Sequence, residues 1–163
     1  MLSAGGGQEG GIRPGTENVA GALALADCLE HRAGPATVKA EYDAASSRMR
    51  VLIDGLLRAE RCTLIPYSRR DAEAGGRFSP YILQAAFDGI PGEVMVRALD
   101  DEGFAVSTGS ACSSDKKARP ILAAMGVDEK TGFEGIRISQ GWSTAGEDIE
   151  ALVGAITGIL GRL

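Results

Sequence analysis

No apolar run in the chain approaches the roughly 20 residues needed to cross a bilayer, and Met1-Leu2-Ser3-Ala4 lacks the basic and apolar regions of a signal peptide. Membrane insertion and export are therefore not expected. Cysteine is scarce and unpaired: Cys28, Cys62 and Cys112 are odd in number and show no C-x-x-C spacing, so neither a disulfide framework nor a zinc site is indicated. A reducing, cytoplasmic setting fits that usage. A basic face is missing too. Lys and Arg number 17 against 22 Asp and Glu, and the net charge of −5 is scattered, which argues against nucleic-acid binding. No internal repeat is present.

What is there suits one folded core, or one domain behind a leader, because 163 residues with 44% apolar and 24% charged side chains are ordinary for a globular protein. Residues 1–15 cannot contribute to that core. Gly5-Gly6-Gly7 and Gly10-Gly11 precede Arg13-Pro14-Gly15-Thr16, and such glycine density reads either as a flexible leader or as backbone that approaches a ligand or partner closely. Val19, Leu23, Ala26 and Leu29 then recur at helical spacing, with Thr16 or Asn18 as cap and Gly34-Pro35 as stop. The positions Val38, Tyr42, Ala45, Met49, Leu52 and Leu56 step by three and four, predicting a long helix with one buried stripe.

Short strands are predicted at 63–65, 81–87, 104–107 and 135–139, and the charged stretch Ser68 to Arg77 reads as a solvated loop. Pro91 suits the first turn of a helix carrying Val94, Met95, Ala98 and Leu99 and ended by Gly103; Pro120 opens a short helix that Gly126 closes. In Gly135-Ile136-Arg137-Ile138-Ser139, alternation buries the two isoleucines and aims Arg137 away from the core. Thr144-Ala145-Gly146-Glu147 matches a capping box before a stripe from Ile149 to Leu163. These elements predict an α+β layer, helices on one side of a small sheet.

One cysteine stands apart from the other two. Cys28 falls in a helical pattern and Cys62 abuts an apolar run, so both read as small hydrophobes. Cys112 lies in Val106-Ser107-Thr108-Gly109-Ser110-Ala111-Cys112-Ser113-Ser114, among residues too small to cover it, and Asp115-Lys116-Lys117 adds cationic charge that favours the thiolate. Read alone, the loop holds either a nucleophilic, sulfur-handling thiol or an exposed cysteine in a small-residue turn.

Three segments, in this order, resemble the pyridoxal-phosphate-dependent cysteine desulfurases of the class V aminotransferase family: Gly5-Gly6-Gly7-Gln8-Glu9 through Arg13-Pro14-Gly15-Thr16-Glu17-Asn18, Ser107 to Ser113, and Gly135 to Gly141. The similarity runs over essentially the whole chain but corresponds to the C-terminal part of such an enzyme. It implies residues 1–36 as the end of the cofactor domain with a linking helix, and 37–163 as the small C-terminal domain of a fold-type I enzyme, with a mainly antiparallel sheet covered by helices. By the resemblance, Cys112 is the nucleophile, whose thiolate takes sulfur from L-cysteine to leave a persulfide and L-alanine. Arg137 holds the substrate carboxylate, and Thr16 donates to the cofactor phosphate, in this family typically across a homodimer interface. From the residues alone, Arg137 reads rather as a surface strand arginine in a salt bridge, and Thr16 as a helix cap, a role compatible with holding a phosphate.

The family lysine that binds pyridoxal phosphate covalently follows a Ser-x-His-Lys-like motif, and none of Lys39, Lys116, Lys117 and Lys130 has that context. His31, the single histidine, does not match the family's ring-stacking histidine. The chain by itself is therefore expected to be inactive and to lack a complete cofactor site. Pro14 stands where serine is common and Gly10 where arginine is frequent. The Ser-Ala-Cys-Ser-Ser loop resembles the longer-loop group that serves iron–sulfur cluster assembly. Lys116, Lys117 and Arg119 would then lower the thiol pKa or help an acidic acceptor or scaffold protein dock, or else form only a solvated face. A stand-alone persulfide carrier or scaffold-binding module, and a related enzyme such as a selenocysteine lyase, are the competing expectations.

Overall fold

The computed structural model describes residues 6–71, 76–109 and 119–163. By contacts the chain divides into two compact units, Met1–Ala40 and Glu41–Leu163.

The first unit opens on a short 3-10 turn at Gln8–Gly11, where Glu9, Gly10 and Gly11 take φ of 51°, 61° and 79°. The last two positions require the left-handed region that only glycine enters without strain, so the Gly10-Gly11 pair has a defined conformational use. Helix α1 runs Val19–Arg32, and its cap is Asn18 rather than Thr16: Asn18 Oδ1 accepts from the Gly21 N–H at 3.0 Å. No described residue of this unit is buried; the stripe of Val19, Leu23 and Leu29 forms as predicted but stays uncovered.

Helix α2, Pro35–Leu57, starts on the proline that the sequence marks as a stop, since a residue that ends one helix is also suited to the first turn of the next. Within the second unit its stripe is buried from Ala45 through Met49, Leu52 and Leu56, while Val38 and Tyr42 remain exposed. Strands β1 (Cys62–Ile65), β2 (Ile82–Phe87) and β3 (Gly135–Ser139) form a three-stranded sheet in that order, antiparallel throughout, with Gln84 paired to both Ile65 and Arg137. Helix α3 is Gly92–Asp101, and short helices α4, Pro120–Ala124, and α5, Glu129–Glu134, precede β3; α6, Gly146–Arg162, closes the chain.

One core joins Leu64, Leu83, Ala85, Phe87, Ile136 and Ile138 of the sheet to α2, α3 and α6. Alternation dictates this: every second strand residue faces the helices. The α2–α6 contact is close enough that a Cβ on Gly55 would meet Val153 side-chain carbons at 2.6 Å. A smaller cluster of Ile65, Ala86 and Leu122 occupies the opposite face, so α4 covers part of the side that the sequence leaves bare.

Several local expectations shift. Segment 104–106 is not a strand; Phe104 and Val106 pack on the core, but only Ser107 pairs, as a single bridge to Arg137. Period-two burial reports which face is apolar and says nothing about ladder hydrogen bonds. Pro91 sits at the cap of α3 with ψ 136°. Lys130 lies on α5, a helix too short to show periodicity, capped by Asp128 through the Thr131 N–H at 2.9 Å. The cap of α6 moves to Ala145, whose N–H donates to Asp148 Oδ2 at 2.8 Å, while Thr144 Oγ1 accepts from the Gly141 N–H at 3.0 Å.

Candidate active site

Strand β3 sets Arg137 between two buried isoleucines, so its side chain stands on the exposed face as the alternation predicts. Gln84, its partner in register on β2, shares that face. On the other edge the Arg137 backbone is tied to Ser107 by two hydrogen bonds: Ser107 N–H donates to the Arg137 carbonyl at 3.2 Å, and Arg137 N–H donates to the Ser107 carbonyl at 2.5 Å. Ser107 begins the cysteine loop. Cys112 itself, with the rest of 110–118 and hence Lys116 and Lys117, lies outside the described residues. Beyond it, Arg119 reaches back, its Nη1 donating to the Thr108 carbonyl, so the two ends of the loop are joined. A groove of about 410 Å3 at this base is lined by Glu93, Val96 and Arg97 of α3 and by Val106, Ser107 and Thr108.

Behind β3 lies a residue that the motif contains but that sequence reasoning passed over. Gln140 is buried, its Nε2 donating to the carbonyls of Ala45 at 2.9 Å and Pro80 at 2.7 Å, and its Oε1 accepting from Arg48 Nε at 2.8 Å. This bolts the end of the arginine strand to α2 and to the start of β2. The available signal was the alternation itself: continuing past Ile138, position 140 faces inward, and a glutamine there must find partners.

Thr16 belongs to the first unit, and Arg137 with the loop base to the second. Exposed, Thr16 lines a groove of about 690 Å3 at the start of α1 with Glu9, Arg13, Glu17 and Asn18. Arg13 Nη1 donates to the Gly15 and Thr16 carbonyls at 3.2 and 3.4 Å. A hydroxyl, a guanidinium and a helix N-terminus make a donor set suited to a phosphate. No lysine is among the described residues lining this groove.

The other titratable groups separate from the site. Burial pushes the Cys62 thiol up to about 11, in keeping with a small hydrophobe. Cys28 is exposed on α1, contrary to the sequence expectation, because the face that carries it packs against nothing described. Lys130 Nζ lies 2.5 Å from Asp88 Oδ1, and the pair raises the Lys130 pKa and lowers that of Asp88. Among the described residues no cluster of three His, Cys, Asp or Glu could hold a metal ion, and no helix is long and apolar enough to cross a membrane.

A helix-covered antiparallel sheet, with an arginine strand bonded to the base of a cysteine-bearing loop, falls within a known class. The class-V aminotransferase profile matches residues 6–152, and the chain belongs to that family. Among curated proteins it is similar to the cysteine desulfurase IscS of Klebsiella pneumoniae strain 342, 31% identical over 160 residues, and to that of Pectobacterium carotovorum, 32% identical. These alignments take in 98% of this chain and 37% of each relative, so the chain spans little more than a third of their length. Of solved structures, a NifS-like protein superposes with a TM-score of 0.73 at 30% identity, over 99% of this chain and 39% of the other. The cysteine desulfurase CsdA of Escherichia coli, in an S-sulfonic acid form, does so with a TM-score of 0.70 at 25% identity, over 95% and 34%.

Proposed function

We propose that these residues form the C-terminal part of a cysteine desulfurase, which takes sulfur from L-cysteine, releases L-alanine and passes the sulfur to an acceptor or iron–sulfur scaffold protein. The observation that carries this reading is the double hydrogen bond between Ser107 and Arg137. It fixes the base of the cysteine loop to the strand residue that would hold the substrate. Cys112 follows Ser107 by five positions, so at roughly 3.5 Å per extended residue its Cα lies no more than ~18 Å from that anchor.

In this reading Arg137, exposed and planar, binds the substrate carboxylate in a fork of parallel hydrogen bonds that orients the amino acid. The Cys112 thiolate attacks the substrate sulfur; the new S–S bond forms as the substrate C–S bond breaks, and the carbon keeps the electron pair and takes up a proton. Pyridoxal phosphate, when bound, supplies the electron sink for that carbon. Thr16 and Arg13 suit its phosphate at the α1 N-terminus. The described residues offer no lysine to this groove, and no lysine of the chain has the family's motif context, so covalent attachment would come from polypeptide outside these residues, and the chain alone is inactive. The complete enzyme is then a cytoplasmic homodimer, with residues 1–36 finishing the cofactor domain.

The test uses the complete polypeptide carrying these residues. Cys112→Ser abolishes alanine formation from cysteine while the cofactor absorbance persists, and Arg137→Ala raises KM for cysteine more than it lowers kcat. Unchanged turnover by the serine variant overturns the reading. The rival reading is a persulfide carrier. Given a persulfide donor, a carrier gains a stable adduct of about 32 Da on Cys112 and forms no alanine even beside a cofactor domain.

A further inference from the structure

The stretch read as a solvated loop contains a buried cation. Arg69, on a 3-10 turn at Tyr67–Arg70 just after β1, is only 9% exposed. Its Nη2 donates to the Ser79 carbonyl at 2.6 Å and its guanidinium carbon lies 5.1 Å from the centre of the Phe78 ring. Both of these partners are neutral. The Nε atom is fully buried and has no hydrogen-bond partner among the described residues. Nearly all buried polar groups in folded proteins are paired, and a buried charge faced by neutral groups is costly unless an anion joins it. Burial accordingly pushes the Arg69 pKa below its ordinary value.

Arg69 borders a groove of about 320 Å3 between this turn and α2, near the lower end of the roughly 300–1,000 Å3 typical of small-molecule sites. Three guanidiniums line it, those of Arg50, Arg69 and Arg70, against the two carboxylates of Asp54 and Asp71. The described lining thus carries one positive charge in excess. Arg70 is engaged elsewhere, donating to Tyr67 Oη and stacking on that ring at 4.6 Å, which leaves Arg69 and Arg50 to meet a ligand. Tyr42, Met49 and Ile53 add apolar wall.

We propose that this groove binds a small organic anion, its carboxylate or phosphate head against Arg69 and Arg50 and its apolar body against Met49 and Ile53. The turn follows β1, whereas Arg137 lies on β3, the opposite outer strand of the sheet, so the site is separate from the cysteine-loop groove and does not rest on the desulfurase reading.

Calorimetric titration of the 163-residue chain with benzoate, acetate and inorganic phosphate tests it. Benzoate binds saturably and more tightly than either of the others. Arg69→Gln weakens it by about tenfold or more, as loss of one charge-assisted hydrogen bond implies. Should Arg69→Gln fail to fold, the exposed variant Arg50→Glu decides, with a similar loss expected. Three results overturn the proposal: no saturable binding of any of the three anions, affinity indifferent to both substitutions, or phosphate binding as tightly as benzoate, which would remove the apolar body from the ligand.

Discussion

Helices α1 and α6 both carry an apolar stripe, the stronger one on α6, and their fates are opposite. In α6, Ile149, Leu152, Ile156 and Ile159 are all buried in the main core. In α1, Val19, Leu23 and Leu29 are all exposed, and no described residue of the first unit is buried. A helical period states that one face is suited to cover; whether cover arrives depends on an element elsewhere with a matching surface. For α6 the sheet and α2 provide it. The stability of the described chain should therefore reside almost wholly in the second unit.

Paired truncations would break or establish that contrast most sharply. Phe87 is fully buried, and Phe87→Ala should destabilise the chain by about 3–5 kcal/mol through lost burial and an incompletely collapsed cavity. Leu23→Ala, at a position 67% exposed, should change stability by less than about 0.5 kcal/mol. Urea unfolding of both variants measures the difference; a loss at Leu23 equal to that at Phe87 would mean that α1 is covered in solution.

Next comes the polar counterpart within the second unit. Gln140→Leu keeps the volume but strands the Ala45 and Pro80 carbonyls and removes the acceptor for Arg48, so about 1–3 kcal/mol should be lost. Because Gln140 braces the strand that bears Arg137, hydrogen exchange at the Ser107 and Arg137 amides should also quicken. A stability loss without that change would separate the brace from the site.

These residues mark how far the sequence could be read. Long or strongly patterned segments were legible: α2, α3 and α6 by their stripes, β2 by its strand-like composition, β3 by alternation, and with β3 the outward aim of Arg137. The pairing of Ser107 with Arg137 was not, because it joins positions 30 apart through a single bridge that leaves no local periodicity. Arg69 was missed for a related reason: composition marks a charged loop as solvated, while Arg69 is buried beside the Phe78 ring and the Ser79 carbonyl. The six residues of α5 were too few to show a helical face.

Two glycines sharpen the packing side of the contrast through opposite signs. A Cβ at Gly55 collides with Val153, so Gly55→Ala should cost about 1–3 kcal/mol by overpacking the α2–α6 contact. Gly154, in the interior of α6, has open space around its Cβ position, so Gly154→Ala should raise stability by about 0.5–1 kcal/mol through reduced unfolded-chain freedom. Thermal unfolding distinguishes the two, and a loss at both would show that α6 is more enclosed than the structure indicates.

The gentlest probe of the same contrast changes no residue. Cys28 is exposed on the uncovered helix, while Cys62 packs against the main core with its thiol pushed up to about 11 from an ordinary 9.0. Because the thiolate is the nucleophile, iodoacetamide at pH 8 should modify Cys28 quickly and leave Cys62 nearly untouched, with peptide mapping keeping both apart from Cys112. As pH climbs from 9 toward 11, labelling of Cys62 should rise. Across that same window the folded chain holds a proton that the unfolded chain has released, so the contribution of this group to stability is intact below 9 and is lost on approach to 11. Equal labelling of Cys28 and Cys62 at pH 8 would place both thiols in the same surroundings and dissolve the distinction between a covered region and a bare one.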